Sequence, residues 1–229
     1  MITEYKINWV VPGNIGYFIS TNETGNSKGK YKHANFSNQV GEDSKNVESN
    51  INELKTLHGL NDITFMNQTH SNTVLKVSRE YTHLDCDAMF TEDKTISCAV
   101  LTADCIPILV TESSGRMIGC IHAGWRGAYS GIIKNTILKI RKINLSNQIF
   151  ASIGPCIGKN SYEVDYDFSN KFTSRSKKNK KYFTKKNKNK KLFNLRKFVA
   201  DKLLELKVNI DHVNHDTFKE KNNFFSYRR

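Results

Sequence analysis

The chain has 229 residues, 38% of them hydrophobic, with 35 Lys and Arg against 22 Asp and Glu for a formal charge of +13. That length can bury a full core as one large domain or two small ones, and no apolar stretch approaches the roughly 20 residues that cross a bilayer. The opening Met1-Ile-Thr-Glu-Tyr-Lys6 lacks a secretory pattern, so a soluble cytoplasmic protein with no membrane partner is expected.

Taken in chain order, residues 8–12 and 15–20 read as short strands around Pro12-Gly13, and 22–30 as a loop. Asp43 or Ser44 can cap a helix carrying Val47, Ile51 and Leu54 on one face, with Gly59 as its stop. Strands are expected near 63–66, 73–77, 97–102, 106–111 and 117–121, then a helix over 127–142 with Tyr129, Ile133, Ile137 and Ile140 on one face. Another strand, 148–153, runs into Gly154-Pro-Cys-Ile-Gly158. A third helix covers 192–207 through Leu192, Leu195, Val199, Leu203 and Leu206, and 223–227 reads as a last strand. Many strands and few helices in irregular order predict an α+β fold with mixed sheets rather than a doubly wound parallel sheet. Neither a repeat nor a linker divides the chain, so 1–229 is read as one domain.

The excess charge is local. Lys171 to Lys191 hold eleven Lys and Arg and no acid, leaving 24 basic against 22 acidic residues elsewhere. The stretch is read as a solvated, mobile loop, with a phosphate-tracking surface as the rival. Tyr182 and Phe183 alone supply too little aromatic surface for a stacking platform, and nucleic acid is not the expected partner. Five cysteines are an odd count, and Cys98 and Cys120 lie inside apolar runs, so disulfides do not organise the fold.

Three of the expected strands end in residues that carry chemistry. The first runs into Asn67-Gln-Thr-His-Ser71, the second into Ala103-Asp-Cys105, and the third into His122-Ala-Gly-Trp-Arg-Gly127. A zinc ion with one open position needs three N or S ligands, and His70, Cys105 and His122 supply them. Their separations of 35 and 17 residues are too wide for a compact structural zinc module. Such ligands converge only if separate strands end at a common edge, as in catalytic sites. Singly, each is better explained by a structural role, and it is three of them at strand exits, two flanked by Asp104 and Arg126, that favour ligation. Seven histidines are too few for the several His-rich centres of multicopper oxidation, which disfavours copper.

At these motifs the sequence resembles the YfiH-like family, labelled laccase-domain or polyphenol oxidoreductase proteins and associated with purine nucleoside phosphorolysis and deamination. The segments that carry the resemblance are Asn67-Gln-Thr-His-Ser71, Asp85-Cys-Asp-Ala-Met-Phe-Thr91, Thr102-Ala-Asp-Cys-Ile-Pro107, His122-Ala-Gly-Trp-Arg-Gly127, Ile153-Gly-Pro-Cys-Ile-Gly158 with Tyr162-Glu-Val164, and Phe224-Phe-Ser-Tyr-Arg-Arg229. The resemblance implies a single α/β/β/α sandwich-like domain, zinc held by His70, Cys105 and His122, and a purine nucleoside and inorganic phosphate as substrates. A monomer is the expected state. The chain departs from the family at Asn22, where relatives have Arg, at Asp216, where they have Cys, and after Arg229, where they continue with a short Gly-containing tail.

A Cys-His-His zinc can make a nucleophile of water near neutral pH, suited to deaminating adenosine at C6. Asp104 and Asp87 are the candidate proton carriers. Asp104 could instead orient an imidazole or cap the next turn, and Asp87 could be a turn residue. Phosphorolysis asks for a phosphate site, which Arg126 and the backbone of Gly124 to Gly127 can supply, with Arg228 contributing. Arg229 is read as a solvated terminus. Gln68 and Ser71 can hydrogen-bond a ribose or purine edge. Trp125 could stack on a base or lie in the core. Gly154 to Cys156 shape the pocket wall, with Cys156 a reserve thiol. The rival enzyme is a metal-free cysteine hydrolase, or an amidase editing cytoplasmic peptidoglycan precursors, with Cys105 as nucleophile and His122 as base.

Overall fold

The computed structural model describes residues 1–79, 84–143 and 148–229. It opens with two short antiparallel strands, β1 (Glu4–Tyr5) and β2 (Ile19–Ser20), followed by α1 (Ser44–His58). Helix α1 starts where the Asp43 carboxylate accepts the Lys45 N–H, and stops at Gly59, whose φ of 61° returns its N–H to the carbonyls of Lys55 and Thr56. Asn50 is wholly buried on this helix and accepts from the Asn26 N–H (2.7 Å) while donating to Ser27 Oγ (2.9 Å) and the Asn35 carbonyl (2.8 Å). The irregular segment between β2 and α1 is thereby tied to the helix.

Strand β3 (Ile63–Phe65) is followed by β4 (Val74–Lys76), β5 (Ala88–Thr91), β6 (Ser97–Ala99), β7 (Ile106–Glu112) and β8 (Ile118–Ala123). Helices α2 (Trp125–Ser130) and α3 (Ile132–Ile143) come next, then β9 (Ile149–Ile153), β10 (Glu163–Asp165), α4 (Tyr166–Arg175), β11 (Phe183–Lys185), β12 (Lys190–Phe193), α5 (Leu195–Glu205) and β13 (Asn209–His212). A six-stranded mixed sheet runs β13-β9-β7-β8-β5-β4, β3 and β6 form a parallel pair, and β10-β12-β11 form an antiparallel sheet.

Burial sorts these elements into layers. Ile106, Ile108 and Val110 of β7 and Ile121 of β8 pack with Ile132, Ile133, Ile137 and Ile140 of α3 and with Val199 and Leu203 of α5. The opposite face of the sheet sends Met89 and Cys120 into a second cluster with Met66, Ile96 and Cys98. Ile63, Phe65 and Ala99 then meet Ile51 and Leu54 of α1. The order is helix, sheet, sheet, helix in one domain, the expected α+β sandwich.

Several boundaries differ from the sequence reading. The strand expected at 8–12 does not form, that expected at 15–20 shortens to β2, and its partner β1 lies earlier, at Glu4–Tyr5. Strand β5 went unpredicted because all four of its residues are buried, so no alternation marks it. The helix expected over 127–142 is two, broken at Gly131 with φ 100°. Leu192 lies in β12, and α5 starts only after the Asn194 side chain accepts the Lys197 N–H. The last strand is β13, parallel to β9, and residues 223–227 form none.

The largest correction concerns Lys171 to Lys191. This stretch is built into the end of α4, a 3₁₀ turn over Lys177–Tyr182, and strands β11 and β12. Its aromatic residues hold it: Phe172 is wholly buried, and its ring centroid lies 5.0 Å from that of Phe193, which in turn lies 4.8 Å from Phe183. Asn179 donates to the Phe172 carbonyl at 2.8 Å. The lysines decorate an ordered surface, their charge masking an aromatic core a few positions apart in sequence. Phe172→Ala is expected to lower the free energy of unfolding by about 3–5 kcal/mol in a denaturant titration. A solvated loop would leave it within about 0.5 kcal/mol of the parent.

Candidate metal and substrate site

The register of the six-stranded sheet assembles the site. Ile106 at the start of β7 lies opposite Ala123 at the end of β8, so Cys105 and His122 share one sheet edge. Ala88 faces Ile121, which sets Asp87 beside His122, and the His122 N–H donates to the Asp87 carbonyl at 2.7 Å. His70 arrives on the loop after β3. The ligand atoms of His70, Cys105 and His122 all lie within 4.8 Å of one another, with Sγ of Cys105 at 3.9 Å from Nε2 of His70. This is the three-ligand cluster found among the described residues.

Asp87 stands behind the cluster, wholly buried. One carboxylate oxygen accepts from Nδ1 of His122 at 2.7 Å and from the His70 N–H at 3.0 Å. The other accepts from the N–H and the hydroxyl of Ser71, at 2.6 and 2.7 Å. Burial opposes ionisation, but the hydrogen bonds from His122 and Ser71 outweigh it and hold this carboxyl well below the usual range. A carboxylate only accepts, so the His122 proton resides on Nδ1 and the Nε2 lone pair is left for a metal. The bond to the His70 N–H also steadies a left-handed backbone, φ 59°, that a non-glycine residue rarely adopts.

The donor set suits a borderline-soft divalent cation with one position open. Gly124 leaves the space for it, because a Cβ there would fall 2.9 Å from both Sγ of Cys105 and Cδ2 of His70. Loss of solvation, then the proximity of His122 and Arg126, lower the pKa of His70 against the pull of Asp87. Burial, then the charge of Asp104, push the Cys105 thiol up to about 12. Bound metal would be needed to make it a thiolate near neutral pH.

The remaining sequence candidates divide. Arg126 is exposed on the first turn of α2 beside the triad, its guanidinium 4.7 Å from the Trp125 ring centre. Trp125 also faces Lys171 at 5.3 Å and packs edge-on to Phe168 at 4.9 Å. Gln68 pairs with the backbone of Leu101 through both ends of its amide, at 2.7 and 2.9 Å, and so joins the exit of β3 to that of β6. Ser71 is occupied by Asp87.

Asp104, left-handed at φ 88°, turns its carboxylate away from the imidazoles and towards the C-terminal segment. It accepts from the hydroxyls of Thr217 (2.8 Å) and Ser226 (3.0 Å) and from the Arg228 N–H (2.7 Å). Imidazole orientation, one of the three sequence readings of Asp104, thus falls to Asp87. The Arg228 guanidinium donates to the Glu163 carbonyl at 3.2 Å and covers the Tyr162 ring at 5.0 Å. Arg229, expected in solvent, donates to the carbonyls of Thr217, Phe218 and Phe224. Asp216, in place of the family's Cys, accepts from the Gly158 N–H (2.9 Å) and the Ser161 hydroxyl (2.6 Å). Asn22 is buried on the wall of a cleft of about 1890 Å³ whose lining also includes His70, Cys105 and His122. Cys156 is buried, and desolvation pushes its thiol up to about 11.

Sequence reasoning assigned Gly124 to the phosphate site rather than to the close approach beside the triad, and gave no role to Tyr162, Thr217 or Ser226. The glycine beside a ligand was the one available signal, since Gly inside a strand-to-helix exit marks a close approach. Asp87→Asn, which preserves shape but replaces an acceptor with a donor, is expected to weaken zinc binding by about 10–100-fold in a chelator competition. Unchanged affinity would show that the carboxylate does not order the ligands.

Residues 16–229 match the family described as multi-copper polyphenol oxidoreductase laccase. A Haemophilus influenzae protein named purine nucleoside phosphorylase is 36% identical over 226 residues, 97% of this chain and 92% of that protein. The Escherichia coli purine nucleoside phosphorylase YfiH is 30% identical over 224 residues, 96% of this chain and 91% of its own. The crystal structure of a DUF152-family protein from Neisseria meningitidis superposes with a TM-score of 0.91 at 29% identity, covering 100% of this chain and 93% of that one. With its motifs in order, its four layers in place and relatives aligned along nearly its whole length, the chain belongs to the YfiH-like, laccase-domain family.

Proposed function

We propose that this chain is a zinc-dependent purine nucleoside phosphorylase acting on adenosine, inosine and S-methyl-5′-thioadenosine, with adenosine deaminase activity at the same site. The observation that carries the reading is the convergence of His70, Cys105 and His122 within 4.8 Å, in a chain whose relatives are named purine nucleoside phosphorylases. Zinc, when bound, supplies a Lewis acid that polarises an oxygen held against it. Arg126 binds the phosphate dianion at the rim, where a planar guanidinium pairs best with a tetrahedral anion. Asp87 holds His122 in its metal-facing tautomer, and Arg228 closes the far side of the site. Asp104 acts through the C-terminal segment it grips and is a positioning residue. Inorganic phosphate and a purine nucleoside are the partners, met by a cytoplasmic monomer. Among the described residues no helix is long and apolar enough to cross a membrane.

The metal-free cysteine hydrolase draws less support. A thiol pushed up to about 12 is almost wholly protonated near neutral pH, and its nearest hydrogen-bond neighbour is His70 rather than His122. The family description names copper, and metal analysis separates the two ions. Purified protein is expected to hold about one zinc per chain, His122→Ala to lose it, and inosine to release hypoxanthine only when phosphate is present. Copper in place of zinc, or Cys105 alkylated by iodoacetamide in a metal-free protein inert to nucleosides, would overturn the reading.

A further inference from the structure

The site as described binds phosphate and metal but leaves the purine ring without a partner. Two aromatic side chains beside the triad are already engaged. Trp125 meets Arg126 at 4.7 Å, Lys171 at 5.3 Å and the edge of Phe168 at 4.9 Å. Tyr162 is 6% exposed, with Arg228 over its ring at 5.0 Å. Tyr227 differs: the residue is 88% exposed and belongs to the lining of the cleft that also holds His70, Cys105 and His122.

Exposure of a large ring is ordinarily a mark of a mobile tail, yet the backbone here is held on both sides of it. The Ser226 hydroxyl and the Arg228 N–H both donate to the same Asp104 oxygen, at 3.0 and 2.7 Å. Phe224 is buried upstream, and Arg229 is tied to three carbonyls downstream. Asp104 is itself fixed, its carbonyl accepting the Ile157 N–H at 3.0 Å and its other oxygen accepting from Thr217 at 2.8 Å. It directly precedes Cys105. A loop held to the residue that precedes Cys105, and presenting a bare aromatic ring to the same cleft, fits a planar heteroaromatic ligand.

We propose that Tyr227 is the stacking platform for the nucleobase, and that Asp104 positions it by gripping Ser226 and Arg228. The inference rests on the nucleoside reading above and supplies its base subsite. Every purine has a π-face, so the platform accepts adenine and hypoxanthine alike. Ring area carries the interaction, and the phenol hydroxyl is dispensable.

The test uses the zinc-loaded protein, with inosine binding measured by calorimetry without phosphate and inosine KM and kcat measured with saturating phosphate. Tyr227→Ala is expected to weaken inosine binding and raise its KM about tenfold or more, with zinc content unchanged and kcat little altered. Tyr227→Phe is expected to match the parent, and Ser226→Ala to raise KM by a smaller factor. Parent-like affinity in Tyr227→Ala, or equal losses in Tyr227→Phe and Tyr227→Ala, would overturn the platform. An unaltered KM in Ser226→Ala would overturn the grip. A parent that binds inosine through Tyr227 but never cleaves it would support the platform and sink the phosphorylase reading, and a parent that binds no inosine would sink both.

Discussion

Asp87 is buried without solvent and still ionised, because the His122 ring, the His70 and Ser71 amides and the Ser71 hydroxyl all donate to it. A lone buried carboxylate would be strongly disfavoured, so these donors and the charge stabilise one another. Two of these bonds select the tautomer of His122 and steady the left-handed backbone of His70. Removing the carboxylate would leave several buried donors unmatched at once, which makes the ligand geometry cooperative rather than a sum of three independent side chains.

Around that carboxylate the sheet register does the long-range work. Antiparallel pairing of β7 with β8 brings the start of one to the end of the other, and β5 against β8 carries Asp87 to the same place. Gly124 then permits the close approach that any Cβ would block. On the opposite side of the site Asp104 faces away from the imidazoles and anchors the C-terminal segment. Two acids thus serve two different objects, Asp87 the imidazole of His122 and the backbone of His70, and Asp104 the C-terminal segment.

The clustering of His70, Cys105 and His122 was legible in sequence because each lies near an end of an apolar strand, where a sheet presents side chains to a cleft. Helix α1 was legible to within one residue at its start, where Asp43 and Ser44 both offered a cap, and at its stop, Gly59. Strand β5 was not, because burial on both faces erases alternation. The Lys171 to Lys191 stretch was misread as a loop because charge dominates its composition, while Phe172, Tyr182 and Phe193, which order it, are too widely spaced to register as a pattern. The duties of Asp87 and Asp104 were open to either assignment, since Asp104 adjoins Cys105 in sequence while Asp87 is remote from all three candidates, and only the register brings Asp87 to His122.

X-ray absorption at the zinc edge of the loaded protein tests the central claim most directly, because it reads the ligand set itself. One sulfur at about 2.3 Å with two imidazole nitrogens and one further light atom near 2.0–2.1 Å is the expected shell. A shell of nitrogen and oxygen alone, with no sulfur, would exclude Cys105 from the centre and contradict the account.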